Sequence, residues 1–183
     1  DDWLVIDGGN THFWSEIAVN IAGWQGKNLG GILHPGSFSM LGVGVSFALA
    51  SKLRFPASNA VVISGDGAFL SGGLSIETAF QENLPITVVI DNNGGLTTIS
   101  QQQEHLFENG QHVATDFRDI PFHTLFEGLG GYGELVEKPE EVAPAVRRAI
   151  ASGKTACINV RTRGVISPIV AAVTSRRDKA SIE

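Results

Sequence analysis

The sequence predicts a doubly wound α/β fold, with a mainly parallel sheet and helices on both of its faces. Short apolar runs rich in valine and isoleucine alternate along the chain with segments of helical length. Runs of about four to eight such residues are typical of buried parallel strands, and their alternation with helices is typical of a doubly wound sheet. We therefore expect strands at residues 3–6, 60–63, 86–90, 133–136 and 156–160.

Helices are expected in the longer segments between these runs, at residues 38–53, 73–82, 121–129 and 139–152. The last segment has the clearest pattern, because Pro139 suits the first turn of a helix. Its apolar residues recur at the spacing of a single helical face: Val142, Ala145, Val146, Ala149 and Ile150.

Composition and charge exclude several classes of function. The chain has 183 residues, 43% of them apolar, which is enough for one domain with a sizeable core. Its net charge is −6 and its basic residues are scattered, so we expect no nucleic-acid partner. No apolar run reaches the roughly 18 residues of a membrane span, and no signal peptide is visible, so we expect a cytoplasmic protein. The single cysteine, Cys157, is expected to be a buried structural thiol.

Glycine-rich breaks follow three of the predicted strands. They are Gly8-Gly9, Gly65-Asp66-Gly67 and Gly94-Gly95. Ligands of open α/β sheets bind at the carboxyl ends of the strands, which is where these breaks fall. The sequence therefore predicts a ligand site that is built from these loops.

Two of these loops carry oxygen ligands. In the first, Asp66 lies between two glycines, which allow backbone amides to approach an anion. The second, Asp91-Asn92-Asn93-Gly94-Gly95, begins 24 residues after Gly67, and a right-handed crossover would place it beside the first. An oxygen-only set of this kind suits Mg²⁺. Each loop alone also fits a tight turn with a capping side chain.

Together the two loops resemble the signature of thiamine-diphosphate enzymes, in which Gly-Asp-Gly is followed after such a gap by Asn-Asn. The resemblance implies that the side chains of Asp66 and Asn93 and the carbonyl of Gly95 hold Mg²⁺, which in turn binds the diphosphate. It places Gly65 and Gly67 in the same cofactor loop.

Further contacts to the diphosphate are implied by the same resemblance. Ala68 and Phe69 would add backbone amides, and the amide of Thr98 would reach the same group. Other members of the family have serine where this chain has Ala68, so a hydroxyl contact is lost here. The segment DGGNTHFW at residues 7–14 is similar to the acetolactate synthase segment whose polar residues meet the diphosphate. Asn10 and Thr11 are its matching positions.

The segment GSFSMLGVG at residues 36–44 resembles the stretch that passes under the bend of the cofactor. The resemblance implies that Leu41 is the apolar wedge between the pyrimidine and thiazolium rings. The carbonyl of Ser39 and the amide of Leu41 would then face the pyrimidine. Met40 is the alternative wedge if the register is shifted by one residue.

The chain is identified as a C-terminal diphosphate-binding domain, at residues 1–162, followed by a polar tail at residues 163–183. It is most similar to acetolactate synthase-like proteins, oxalyl-CoA decarboxylases and 2-hydroxyacyl-CoA lyases. This group implies a thiamine-diphosphate-dependent lyase or transferase that makes or breaks a carbon–carbon bond next to the carbonyl of a 2-keto acid or acyl-CoA. The alternative is a non-catalytic domain that keeps the cofactor site for assembly or regulation.

The activating glutamate of this family belongs to a separate pyrimidine-binding domain, so the catalytic residue is expected outside this chain. The chain begins with Asp1 rather than methionine, and we expect it to be the last third of a longer enzyme. The partner domain would come from another subunit of a homodimer or homotetramer.

Among the five histidines, His12 adjoins the diphosphate loop and is a candidate for proton transfer, although a lone histidine in a loop is more often structural. Their spacing predicts no zinc site.

Overall fold

The chain forms a parallel sheet in a computed structural model that describes residues 2–27, 29–107 and 109–172. Within these residues the sheet has six strands in the order β2-β1-β3-β4-β6-β5, and every neighbouring pair is parallel. The strands are β1 Trp3–Asp7, β2 Gly31–Leu33, β3 Ala60–Gly65, β4 Thr87–Asn92, β5 Tyr132–Val136 and β6 Ala156–Arg161.

Helices connect the strands. They are α1 Asn10–Trp24, α2 Gly44–Arg54, α3 Asp66–Gly72, α4 Ile76–Gln81, α5 Thr97–Leu106, α6 Phe122–Gly128 and α7 Pro139–Ala151. Short 3₁₀ helices lie at Gly36–Phe38 and Gly73–Ser75. None of the helices in the described part of the chain is long and apolar enough to cross a membrane.

Buried side chains alternate between the two faces of the sheet, as the strand period of two requires. In β4, Val88 and Ile90 pack into one core with residues of α2, α4 and α6. Val89 lies between them and packs on the opposite face against α7. The predicted doubly wound α/β fold is therefore confirmed. Cys157 is a buried free thiol, and burial raises its pKa well above the ordinary value.

Every predicted strand is present, with small shifts of its ends, but β2 was missed. It has only three residues, which is too short for a recognisable pattern. Three helices were also missed. α1 buries the polar residues Asn10, Thr11 and Ser15 rather than an apolar stripe, α3 is short and contains glycine, and α5 is rich in glutamine.

The helix predicted at residues 38–53 begins only at Gly44, so its first part was predicted wrongly. Ser39 and Gly42 have left-handed backbone conformations, with φ of 48° and 88°, which no right-handed helix can contain. Residues 39–43 form instead the non-helical loop that leads into α2.

The first part of the predicted tail packs against the domain. The carbonyl of Gly164 accepts a hydrogen bond from Gln101 Nε2 at 3.0 Å, and that of Val165 accepts one from Trp14 Nε1 at 3.2 Å. Ser167 is fully buried. Residues 173–183 lie outside the described residues.

Candidate cofactor site

A cavity of about 360 Å³ opens at the carboxyl edge of the sheet, where β1, β3 and β4 end. β3 and β4 are adjacent and parallel, with Gly65 opposite Asp91, so the two predicted loops lie side by side. All the predicted cofactor residues except Phe69 line this cavity: Asn10, Thr11, Ser39, Leu41, Gly65, Asp66, Gly67, Ala68, Asn93, Gly95 and Thr98. Residues from distant parts of the sequence thus meet in a single concave site.

Phe69 has a different position. Its side chain is buried in the core, with ring centroids 5.6 Å from Phe122 and 5.9 Å from Phe126. The side chain therefore anchors α3 beneath the site and does not line the cavity. Only its backbone remains available for the predicted contact.

Asp66 joins the two loops through its carboxylate, which is 2% exposed. Oδ1 accepts a hydrogen bond from the amide of Gly67 at 2.7 Å. Oδ2 accepts hydrogen bonds from the amides of Gly94 at 2.8 Å and Gly95 at 3.0 Å. A carboxylate offers about four lone-pair positions. One position on Oδ1 therefore remains for a further ligand.

Burial raises the pKa of the Asp66 carboxyl above its ordinary value, and the nearby Asp91 also raises it. The three backbone amides act in the opposite direction, because they stabilise the charged form. Among the described residues, no positively charged side chain pairs with this carboxylate. A bound cation would supply that partner and favour the ionised state.

Asn93 has the clearest mark of an absent ligand. Its side-chain oxygen, Oδ1, is buried and has no hydrogen-bond partner among the described residues. Such orphaned acceptors are rare in folded proteins, because an unpaired buried polar group is costly. The carbonyl of Gly95 accepts one bond, from the amide of Thr97 at 2.9 Å, which leaves it a second lone pair. Together with Asp66 Oδ1, these oxygens fit the preference of Mg²⁺.

The neighbouring Asn92 has a structural role. Its Nδ2 donates to Asn159 Oδ1 at 3.0 Å and to the carbonyl of Ile120 at 3.2 Å. These bonds tie the end of β4 to β6 and to the loop before α6. Of the two adjacent asparagines, Asn93 is therefore the one whose side chain is free for a ligand.

The start of α1 is joined to α5 and to the end of β4. The amide of Asn10 donates to Thr98 Oγ1 at 3.1 Å, and Asn10 Nδ2 donates to Gln101 Oε1 at 3.1 Å. Thr11 Oγ1 donates to Asp91 Oδ2 at 2.6 Å. The side chains of Asn10 and Thr11 line the cavity but are already engaged within the protein. Both side chains hold the loops of the site together.

Leu41 lines the cavity, whereas Met40 does not. Met40 is also the more exposed of the two, at 56% against 41%. Ser39, in its left-handed conformation, turns the chain just before them. Of the two residues considered for the wedge, Leu41 is therefore the one that lies at the cavity.

Asp7 supports the loop that carries Leu41, a role that sequence reasoning missed. Its carboxylate is 1% exposed, and its Oδ2 accepts hydrogen bonds from the amides of Gly44 at 2.7 Å and Gly42 at 3.1 Å. Burial raises the pKa of Asp7, and these amides partly offset that effect. The sequence shows a carboxylate directly before the Gly8-Gly9 break, which could have marked Asp7 as a supporting residue. Its partners could not be recognised, because they lie more than thirty residues away.

Asp66 is the only acidic side chain among the residues that line the cavity. Three backbone hydrogen bonds hold its carboxylate between the two glycine-rich loops. Among the described residues, the lining of the cavity thus combines one buried carboxylate with the unpartnered buried oxygen of Asn93. This arrangement suits binding and orientation of a cofactor.

Comparison with known proteins identifies the family of this chain. Residues 7–160 match the family model described as the thiamine pyrophosphate enzyme, C-terminal TPP binding domain. The chain belongs to this family, whose members bind thiamine diphosphate.

The relatives are longer enzymes. The chain is 39% identical over 131 residues to a probable acetolactate synthase of Mycobacterium bovis, covering 71% of this chain and 24% of that protein. It is 34% identical over 141 residues to human 2-hydroxyacyl-CoA lyase 2, covering 75% of this chain and 21% of that protein. The chain therefore spans about a quarter or less of the length of these relatives.

A solved structure has the same fold. It is the thiamine diphosphate-dependent 4-hydroxybenzoylformate decarboxylase of Rhodococcus jostii RHA1, with a TM-score of 0.69 and 25% identity. The match covers 91% of this chain and 30% of that one. The fold and the family thus agree with each other.

Proposed function

We propose that Asp66, Asn93 and Gly95 hold Mg²⁺, and that this ion fixes the diphosphate of thiamine diphosphate in the cavity. The observation that carries the proposal is the buried, unpartnered oxygen of Asn93 in the same cavity as the nearly buried Asp66. Two such groups would be costly unless a cation binds there. Mg²⁺ fits better than a softer metal, because every donor is oxygen.

The residues of this chain would bind and orient the cofactor. The backbone amides of Ala68 and Phe69, near the start of α3, would donate to the diphosphate, since the start of a helix favours anions. Leu41 would hold the two rings in their bent arrangement from below. When bound, the cofactor supplies a nucleophilic carbon and then an electron sink for bond cleavage next to a carbonyl. The protein contributes position and the exclusion of water.

We further propose that the chain works as part of a longer cytoplasmic enzyme, a lyase or transferase. The pyrimidine-binding domain, with its activating glutamate, would come from another subunit of a homodimer or homotetramer. The relatives support carbon–carbon bond chemistry on a 2-keto acid or an acyl-CoA, since they include an acetolactate synthase and a 2-hydroxyacyl-CoA lyase. Turnover of pyruvate and of a 2-hydroxyacyl-CoA by the full-length protein would separate these two substrate classes.

Replacing Asp66 with alanine tests the metal assignment. In calorimetry, the affinity of the parent for thiamine diphosphate should depend strongly on Mg²⁺. The affinity of Asp66→Ala should not depend on Mg²⁺. With Mg²⁺ present, Asp66→Ala should lose more cofactor affinity than the roughly 10–100-fold that is lost when an outer partner of a metal ligand is removed. Because burial raises the pKa of Asp66, protons compete with the metal, so the Mg²⁺ affinity of the parent should also weaken as the pH is lowered.

Asp119→Ala is the matched control. It removes an exposed aspartate from a surface ion pair with Arg161 and leaves the cavity intact. It should bind cofactor like the parent. Cofactor binding by Asp66→Ala that still requires Mg²⁺ with unchanged affinity would refute the assignment.

A further inference from the structure

Three side chains of metal-binding type lie together outside the cofactor cavity: His12, Glu16 and His34. One ligand atom from each, a ring nitrogen or a carboxylate oxygen, lies within 4.8 Å of the other two. They line a second cavity of about 480 Å³. This cavity shares Gly8, Gly9, Ser39 and Leu41 with the cofactor cavity, so the two are neighbours.

The fold explains why these residues meet. His12 and Glu16 are four residues apart on α1, which places them on one face of the helix, with His12 Nε2 2.8 Å from Glu16 Oε1. His34 directly follows β2, which pairs in parallel with β1. The rings of the two histidines are in edge contact, with centroids 5.3 Å apart and planes at 86°. The spacing of the histidines in the sequence gave no sign of this cluster.

We propose that His12, Glu16 and His34 bind a divalent transition-metal ion of the Zn²⁺ type. Two imidazoles and one carboxylate are a ligand set that Zn²⁺ accepts, and three protein ligands leave a fourth position for water or another small ligand. The cavity gives that position room. Nitrogen donors distinguish this site from the oxygen-only site around Asp66. The proposal does not depend on the proposed function.

Metal binding changes the hydrogen bonds of the cluster. His34 Nδ1 now accepts a bond from the amide of Gly36 at 3.2 Å. A ring that ligates through Nε2 carries its proton on Nδ1, so this bond must break. The ring of His34 is exposed, and the loss of one such bond lowers the affinity for the metal by about fivefold. The contact between His12 and Glu16 becomes a shared contact with the ion.

Calorimetry with ZnCl₂ tests the site in the full-length protein after removal of bound metal with EDTA. We expect one Zn²⁺ per chain that millimolar Mg²⁺ does not displace. His12→Gln, Glu16→Gln and His34→Gln should each weaken binding by about tenfold or more. His105→Gln is the matched control, since it removes an exposed imidazole from α5, and it should bind Zn²⁺ like the parent.

Asp66→Ala separates this site from the proposed Mg²⁺ site, because it should leave Zn²⁺ binding unchanged. Loss of Zn²⁺ binding in Asp66→Ala, or unchanged binding in both His12→Gln and His34→Gln, would overturn the proposal. Co²⁺ provides a readout that needs no variant: four-coordinate Co²⁺ should give the parent protein strong visible absorption that ZnCl₂ abolishes. Absence of that absorption would overturn the proposal even if a variant failed to fold.

Discussion

Replacing Asp7 tests whether a single buried carboxylate holds the loop under the cofactor. Its Oδ2 accepts hydrogen bonds from the amides of Gly44 and Gly42, at 2.7 and 3.1 Å. Asp7→Ala would leave both donors without a partner. An unsatisfied buried group costs about 1–3 kcal/mol, so the two could cost about 2–6 kcal/mol together.

Two effects reduce that cost toward the lower end, about 2 kcal/mol. The amide of Gly42 is only partly buried, so water can replace its partner. The alanine variant also no longer buries a charge, and burial is the main cause of the raised pKa of Asp7. Asp7→Asn keeps an acceptor oxygen at the position of Oδ2 and should change the free energy of unfolding by less than about 1 kcal/mol.

The pH dependence gives the sign of the charge effect. Because the pKa of Asp7 is raised in the folded chain, its contribution to stability is fully present below the unfolded pKa and is lost as the pH rises through the folded pKa. Asparagine does not titrate. The stability of Asp7→Asn relative to the parent should therefore improve as the pH is raised from acid toward neutral.

Urea unfolding and cofactor calorimetry together check this reasoning. Asp7→Ala should lower the free energy of unfolding and weaken thiamine diphosphate binding at saturating Mg²⁺, since the displaced loop carries Leu41. Asp7→Asn should have only a small effect on the free energy of unfolding and on the affinity for thiamine diphosphate. The reasoning fails if Asp7→Ala matches the parent in both measurements, or if Asp7→Asn is as damaging as Asp7→Ala.

Two further substitutions act on the same loop. A Cβ at Gly72 would lie 2.1 Å from the carbonyl oxygen of Gly42, so Gly72→Ala must displace backbone and should cost about 1–3 kcal/mol in urea unfolding. Gly23→Ala on α1 meets open space and should not destabilise the chain; equal effects of the two would contradict the steric argument. Leu41→Ala should weaken cofactor binding by about three- to eightfold in calorimetry, because Leu41 is 41% exposed and covering that part of a leucine contributes about 0.6–1.2 kcal/mol. Met40→Ala should bind normally, and the opposite pattern would move the wedge to Met40.

The strands and the glycine-rich loops could be predicted because their signals are local. A short run of β-branched residues such as that ending at Ile90, bounded by turn signals, favours a buried strand wherever its partners lie. Parallel strands joined by right-handed crossovers bring their carboxyl ends to one edge. The two loops could therefore be expected to lie side by side, and the family resemblance then singled out Asp66 and Asn93 within them.

The elements that sequence reasoning missed lack such a local signal. β2 has only three residues and is a strand because Gly31, Ile32 and Leu33 pair with β1. The start of α1 buries polar residues that are satisfied by distant partners, as with Thr11 and Asp91. Pairing across the sheet, and not the nature of the residues, fixes these elements.

The sequence by itself determined the family of this protein, its α/β fold and the two glycine-rich loops that carry Asp66 and Asn93. The family resemblance pointed to Asn93, but only the tertiary structure gives the physical reason, since Asn92 is held by Asn159, 67 residues away, and the buried oxygen of Asn93 has no partner among the described residues. The tertiary structure also shows that Asp7 supports the loop that carries Leu41 and that His12 lies in contact with His34. The physical reason is that composition and periodicity specify elements, whereas the partner of a polar side chain depends on the order and register of the strands.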